Sequence, residues 1–161
     1  MLAKLRLSIL VVFSAVIGYL FASPQNLNVT HLLLLALGGL LVTSASNAIN
    51  QIIERDIDKL MNRTQNRPLP TERMSVVEAI FAAGTMGISG ILILTYFFNP
   101  VSGVLAAISL LTYAFIYTPL KRISPIAVFV GAIPGALPPA IGYVCATGEI
   151  DFVAVVLFSI R

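Results

Sequence analysis

Asn50, Glu54 and Asp58 stand four residues apart, and Arg63 and Arg67 follow at the same spacing. If the chain is helical there, each step of four turns the side chain by only about 40°, so the three oxygen-bearing residues share a face. Successive members then lie about 6 Å apart along the axis, too far for all three to grip one metal ion. The spacing suits a diphosphate with its attendant Mg²⁺, which takes one or two carboxylates and fills its remaining positions with water and phosphate oxygens. Arginine supplies the complementary half, a planar fork that binds phosphate oxygens in pairs. Asp56 is two residues from each acid, so it points elsewhere, and it is expected to pair with a basic neighbour or face water. Pro68 and Pro70 stiffen the way out of the segment and discourage helix there.

Charges in a loop usually pair with one another or with water. One feature of the residues themselves argues for more here. Ser46, Asn47 and Asn50 lie inside or at the edge of an apolar stretch, where polar groups are costly and usually functional.

The elements that must hold these residues are apolar. Hydrophobic residues make up 58% of the 161, charged residues only 11%, and the mean hydropathy is +0.95. A soluble domain carries about 25% charged residues. Apolar runs cover 7–22, 32–49, 79–98, 101–120 and 126–146, and a sixth begins at Phe152. A helix needs about 20 apolar residues to cross a bilayer. The expected fold is therefore all-α, a multi-pass transmembrane bundle with five complete spans and the start of a sixth.

The formal charge of +3 follows the topology. Lys4 and Arg6 precede the first run; Arg55, Lys59, Arg63, Arg67 and Arg73 lie between the second and third; Lys121 and Arg122 lie between the fourth and fifth. The alternate connections, 23–30, 99–100 and 147–151, hold no Lys or Arg. That is the positive-inside pattern with a cytoplasmic N-terminus, and it displaces a nucleic-acid reading of the basic balance. A cleaved signal peptide over the first run, with small residues at Phe21-Ala22-Ser23, fits the same alternation. The run 126–146 contains Pro134, Pro138 and Pro139 with Gly131, Gly135 and Gly142. It should bend, either for close packing or to open a cavity. The lone Cys145 is expected to pack as a small hydrophobe.

The run from Asn50 to Asp58, followed by Arg63-Thr64-Gln65-Asn66-Arg67-Pro68, resembles the first aspartate-rich motif of the UbiA-type intramembrane prenyltransferases. Tyr117-Thr118-Pro119-Leu120-Lys121-Arg122 is similar to their second cytoplasmic signature. Glu54-Arg55-Asp56-Ile57-Asp58, with the segment Gly131 to Pro139, resembles the haem O synthase branch more than the quinone-pathway branch. The middle acid, Glu54, stands where many members carry Asp.

The resemblance implies one prenyltransferase domain over 1–161, with its diphosphate-binding motif and cytoplasmic loop at 50–75. Asn50, Glu54 and Asp58 would be the catalytic, Mg²⁺-holding residues. Arg63, Arg67, Tyr117, Lys121 and Arg122 would bind the diphosphate. The implied reaction is farnesyl transfer from farnesyl diphosphate to a vinyl group of haem b, giving haem O, in the bacterial cytoplasmic membrane. The family's roughly nine helices and second acid-rich motif would extend beyond the sixth run, so the expected chain holds half of the site. Haem A synthase, or a polypeptide carrying the other half, would be partners.

Three other readings remain open on the residues: a quinone-pathway enzyme acting on an aromatic acid, an inactive fragment of either enzyme, and a transporter or channel module. An ion path wants polar residues at several depths of several spans, whereas here they gather at one edge. His31 sits at the opposite mouth and is expected to be an interfacial polar residue. Tyr19, Tyr96, Tyr113 and Tyr143 are expected in the aromatic belt.

Overall fold

Lipid offers the backbone no hydrogen bonds, so an apolar chain must satisfy its own amides, and a helix does this within one segment. The computed structural model describes residues 5–22 and 28–160, and every regular element among them is helical. Lys4 and most of the first connection, which the topology reading uses, lie outside the described residues.

The elements are α1 (Leu5–Ala22), α2 (Val29–Ile53), α3 (Arg55–Asp58), α4 (Val76–Phe97) and α5 (Pro100–Leu111). A π-helical segment (Thr112–Tyr117) follows, then α6 (Thr118–Leu120), α7 (Ala127–Thr147) and α8 (Phe152–Ser159). α5, the π segment and α6 run together as one 21-residue apolar rod, Pro100–Leu120. With α2, α4 and α7 this makes four helices long and apolar enough to cross a membrane. α1 is shorter at 18 residues, about 27 Å, close to the hydrocarbon core of about 30 Å. The chain is a multi-pass transmembrane helical bundle.

Local chemistry sets the helix starts. Asn28 Oδ1 accepts from the Thr30 and His31 amides to begin α2. Ser75 and Glu78 form a reciprocal capping box at α4. Asn99 caps α5 directly before Pro100, whose missing N–H costs nothing at that position.

α2 lies against α4, α1 against α7, and α5 bridges α4 and α7. Glycines let the backbones close up. A Cβ at Gly142 would overlap the Ala15 carbonyl, and one at Gly18 the Pro139 carbonyl. α1 and α7 therefore meet backbone to backbone, the close approach that small residues allow between membrane helices. The outer faces are apolar, with Leu10, Phe13, Phe21, Leu33 and Phe81 all more than 60% exposed. The interior holds Ser8, Asn47, Asn50 and Thr118 at 1% exposure or less. Apolar outside and polar pockets inside is the distribution a lipid solvent selects.

α7 runs unbroken through Pro134, Pro138 and Pro139. Its Gly142 end packs on α1, while Gly131, Pro134 and Gly135 line cavities. Cys145 is buried in the main core cluster, as a small hydrophobe would be.

The tyrosines depart from the aromatic-belt expectation. Only Tyr96 is well exposed, at 80%. Tyr19 is buried and its hydroxyl lies 3.2 Å from His31 Nδ1. Tyr143 is buried and donates to Asp151 Oδ2 at 2.7 Å. Tyr113 lines an internal cavity. Neighbouring helices cover these rings, and each hydroxyl of the first two finds a partner, which a position near a span end does not reveal.

Candidate functional site

Asn50 and Gln51 close the polar stretch of α2, and the helix is interrupted at Glu54. Glu54 has φ −94° and ψ 4° and separates α2 from α3, so the helix is not continuous as the spacing suggests. The amide bonds nonetheless keep their four-residue step: Glu54 N–H donates to Asn50 O at 3.0 Å, and Asp58 N–H to Glu54 O at 2.8 Å.

Each acid is held by a cation from elsewhere. Lys121 Nζ lies 2.9 Å from Glu54 Oε1, and Arg67 Nη1 lies 2.6 Å from Asp58 Oδ2. Both pairs are substantially buried; the Asp58 side chain is 4% exposed and that of Glu54 13%. Thr64, also buried, donates its hydroxyl to the Asp58 carbonyl and closes the turn. Asp56 pairs with Arg55 at 3.3 Å in the open, as its position in the sequence suggests. Arg73 fastens the loop by donating to Asn66 O and Thr71 Oγ1.

Asn50 is fully buried. Its amide nitrogen donates to Glu54 Oε2 at 3.0 Å and to Thr118 Oγ1 at 3.1 Å. Its carbonyl oxygen has no hydrogen-bond partner. Among the described residues no three Asp, Glu, His or Cys side chains converge on a point. The set present fits Mg²⁺ in another way: two separate carboxylates and a buried amide oxygen with no donor are hard oxygen ligands, and phosphate oxygens and water complete such a shell.

Beside these groups opens a cavity of about 760 Å³. Tyr113, Tyr117, Lys121 and Arg122 line one side, and Gly131 and Ala132 of α7 the other. The Tyr113 and Tyr117 rings are 5.4 Å apart, and Lys121 Nζ sits 5.5 Å from the Tyr117 ring centre. Tyr113 and Gly131 also line a deeper, mainly apolar cavity of about 180 Å³, with Val11, Val42, Asn47 and Pro134. A cationic mouth thus adjoins an apolar interior.

Not every candidate from the sequence joins this cluster. Arg122 lines the large cavity but spends a guanidinium N–H on Ile53 O, at 2.8 Å, closing the end of α2. Arg63 is exposed and makes no ion pair among the described residues. His31 is about 28 Å away along α2, against Phe98.

Residues 11–160 match the model of the UbiA prenyltransferase family. The chain belongs to that family. Its relatives include the protoheme IX farnesyltransferases of Cytophaga hutchinsonii, 46% identical over 160 residues, and Christiangramia forsetii, 48% identical over 160 residues. Each alignment covers 99% of this chain and respectively 56% and 53% of the relative. The mitochondrial protoheme IX farnesyltransferase of Arabidopsis thaliana is 38% identical, over 97% of this chain and 36% of its own. The chain spans about half the length of the bacterial relatives. A solved digeranylgeranylglyceryl phosphate synthase superposes with a TM-score of 0.83, over 95% of this chain and 53% of that one. At 24% identity it shows a shared fold alone.

Against that family background, the structure brings two residues to the site that the sequence reading placed otherwise: Tyr113 was expected in the aromatic belt, and Thr118 was named only as part of the second signature. The Tyr113 ring lies 5.4 Å from that of Tyr117, tilted by 34°, and the four-residue spacing of the two tyrosines was the available signal. Thr118 is fully buried between Asn50 and the π segment, and nothing in its type or spacing announced it.

Proposed function

We propose that the chain contributes the diphosphate-binding residues of a Mg²⁺-dependent prenyltransferase that moves a farnesyl group from farnesyl diphosphate to a vinyl group of haem b, giving haem O. The observation that carries this is the crossed pairing of Glu54 with Lys121 and Asp58 with Arg67 beside the cavity mouth. Each pair joins an acid suited to a metal with a cation suited to a phosphate. The names of the relatives supply the donor and acceptor.

In this reading Asn50, Glu54 and Asp58 hold Mg²⁺, which when bound supplies positive charge beside the leaving group. Arg67 and Lys121 turn from their acids to diphosphate oxygens, with Arg63 and Arg122 at the rim. Tyr117 donates a hydrogen bond to the same group. The allylic C–O bond breaks with its electron pair passing to the diphosphate, and these fixed cations stabilise that charge. The apolar walls keep water from the allylic carbocation until the vinyl carbon attacks it; water then adds to the cation left on the haem side chain and loses a proton, giving the hydroxyethylfarnesyl group of haem O. The Asn50–Arg67 motif faces the cytoplasm, following the positive-inside rule, in the bacterial inner membrane. Haem A synthase is the partner that takes the product, and the remaining half of the family's length completes the site.

The test is haem O formation in membranes given farnesyl diphosphate, Mg²⁺ and haem b. The chain is assayed alone and joined to the C-terminal half of the Cytophaga hutchinsonii relative. Product from the joined protein that vanishes in Asp58→Ala supports the assignment. No haem O from the joined protein, with a prenylated product from an aromatic acid instead, moves the chain to the quinone-pathway branch.

A further inference from the structure

Thr118 Oγ1 makes two contacts of opposite sense. It donates to the Tyr113 carbonyl at 2.8 Å and accepts from Asn50 Nδ2 at 3.1 Å. A threonine in an α-helix bonds back three or four residues; this one reaches back five, because 112–117 is wound as a π-helix. The winding has a local cause. Pro119 has no N–H and its ring crowds the carbonyl four residues earlier, so the regular ladder fails just before it. Thr118's own N–H also donates to the Tyr113 carbonyl, which fixes that acceptor from two sides.

With its proton committed to Tyr113, the hydroxyl presents only a lone pair to Asn50. Glu54 Oε2, 3.0 Å from the same amide nitrogen, likewise only accepts. A flipped amide would set its oxygen against both. Thr118 and Glu54 together therefore hold the amide one way round, with both N–H bonds used and the carbonyl oxygen left as the open acceptor.

We propose that Thr118 is a positioning residue for the metal-diphosphate site, acting through Asn50: its hydroxyl fixes the amide so that Oδ1 remains the free ligand. This rests on the reading of Asn50 as part of that site. It also ties the site to the cavity wall, because the Tyr113 carbonyl that orients Thr118 belongs to the segment presenting Tyr113 and Tyr117 to the cavity.

The experiment is calorimetric titration of the chain in lipid nanodiscs with Mg²⁺ and inorganic pyrophosphate, which reads the site without turnover. Thr118→Val keeps the shape and removes the hydroxyl, and affinity should fall about tenfold, as loss of a buried hydrogen bond implies. Thr118→Ser should bind within about twofold of the parent, since it keeps the hydroxyl. In an Asn50→Ala background, Thr118→Val should cause no further loss, because residues acting through one another are non-additive. If Thr118→Val loses helical circular dichroism, Ser against Ala at the position carries the comparison: Ser binds and Ala does not. Unchanged affinity in a folded Thr118→Val or Thr118→Ala overturns the inference, as does an equal loss in the Asn50→Ala background. Absence of binding by the parent overturns the site reading itself, and the inference with it.

Discussion

Lys121 and Glu54 lie 67 residues apart in sequence and 2.9 Å apart in space, and their contact joins the end of α2 to the turn after α6. Arg67 and Asp58 repeat the arrangement nearby. Both acids are therefore neutralised before any ligand arrives. Mg²⁺ alone must compete with two cations, and pyrophosphate alone with two carboxylates. Only the metal-diphosphate complex gives all four groups new partners. Calorimetry should find the preformed complex binding at least about tenfold tighter than either component, a coupling within the usual range. Equal affinity for pyrophosphate alone would show that the ion pairs are not exchanged.

Removing the Asp58 charge should destabilise the fold as well as the site. Asp58→Asn leaves the guanidinium of Arg67, 18% exposed, without its carboxylate. Breaking a buried pair from one side costs about 3–5 kcal/mol, and the residual exposure of Arg67 puts this case at the lower end. Unfolding in a denaturing detergent gradient measures it, and a midpoint equal to the parent's would refute the burial argument.

Gly131 faces the Tyr117 ring, and a Cβ there would come within 2.7 Å of Tyr117 Cε2. Gly131→Ala should push the ring aside and leave the bundle intact, since a side chain yields more easily than backbone. Haem O synthesis by the joined protein should drop about tenfold or more, as a misplaced contact group implies, with the melting temperature nearly unchanged. A large loss of stability with normal specific activity would be the contrary result.

Substitution at Gly142 meets backbone instead. Gly142→Ala must separate α1 from α7 against the Ala15 carbonyl, at a cost of about 1–3 kcal/mol or more. Gly84 faces open space, so Gly84→Ala should be neutral or gain up to about 1 kcal/mol from helix propensity. The thermal midpoint should fall for Gly142→Ala and hold or rise for Gly84→Ala.

Asp151 caps α8 by accepting from the Ala154 amide and receives the Tyr143 hydroxyl. The Tyr143 hydrogen bond first, and then the Ala154 amide, hold its carboxyl below the ordinary aspartate value of 3.8. A lowered folded-state value means the contact contributes fully above the unfolded value and is lost as pH falls from there through the folded one. Proteolysis of the α7–α8 connection should accelerate below about pH 4, and Asp151→Asn should abolish that dependence. A pH-independent rate in the parent would dispose of the contact's role.

Hydropathy made the membrane bundle legible, and the four-residue spacing set Asn50, Glu54 and Asp58 apart, because both can be read from short stretches of sequence. What remained hidden depends on contacts between segments distant in the chain. The Lys121–Glu54 pairing, the burial of Tyr19 and Tyr143, and the bridge through Thr118 arise only when α2, α7 and the π segment meet. Arg122 illustrates the limit: the sequence shows its charge, while its hydrogen bond to the Ile53 carbonyl appears only in the fold. The break at Glu54 was equally invisible, since the four-residue spacing survives it.

The π segment has a bearing on sequence length. Each of its hydrogen bonds spans five residues instead of four, so it carries one residue more than the α-helix that would fill the same rise. The extra residue is taken up within a membrane span instead of being expelled to a loop. Deleting one residue from 112–117 would remove that surplus, while Pro119 would still interrupt the ladder after it. Between Leu111 and Lys121, gap placement therefore matters as much as residue identity.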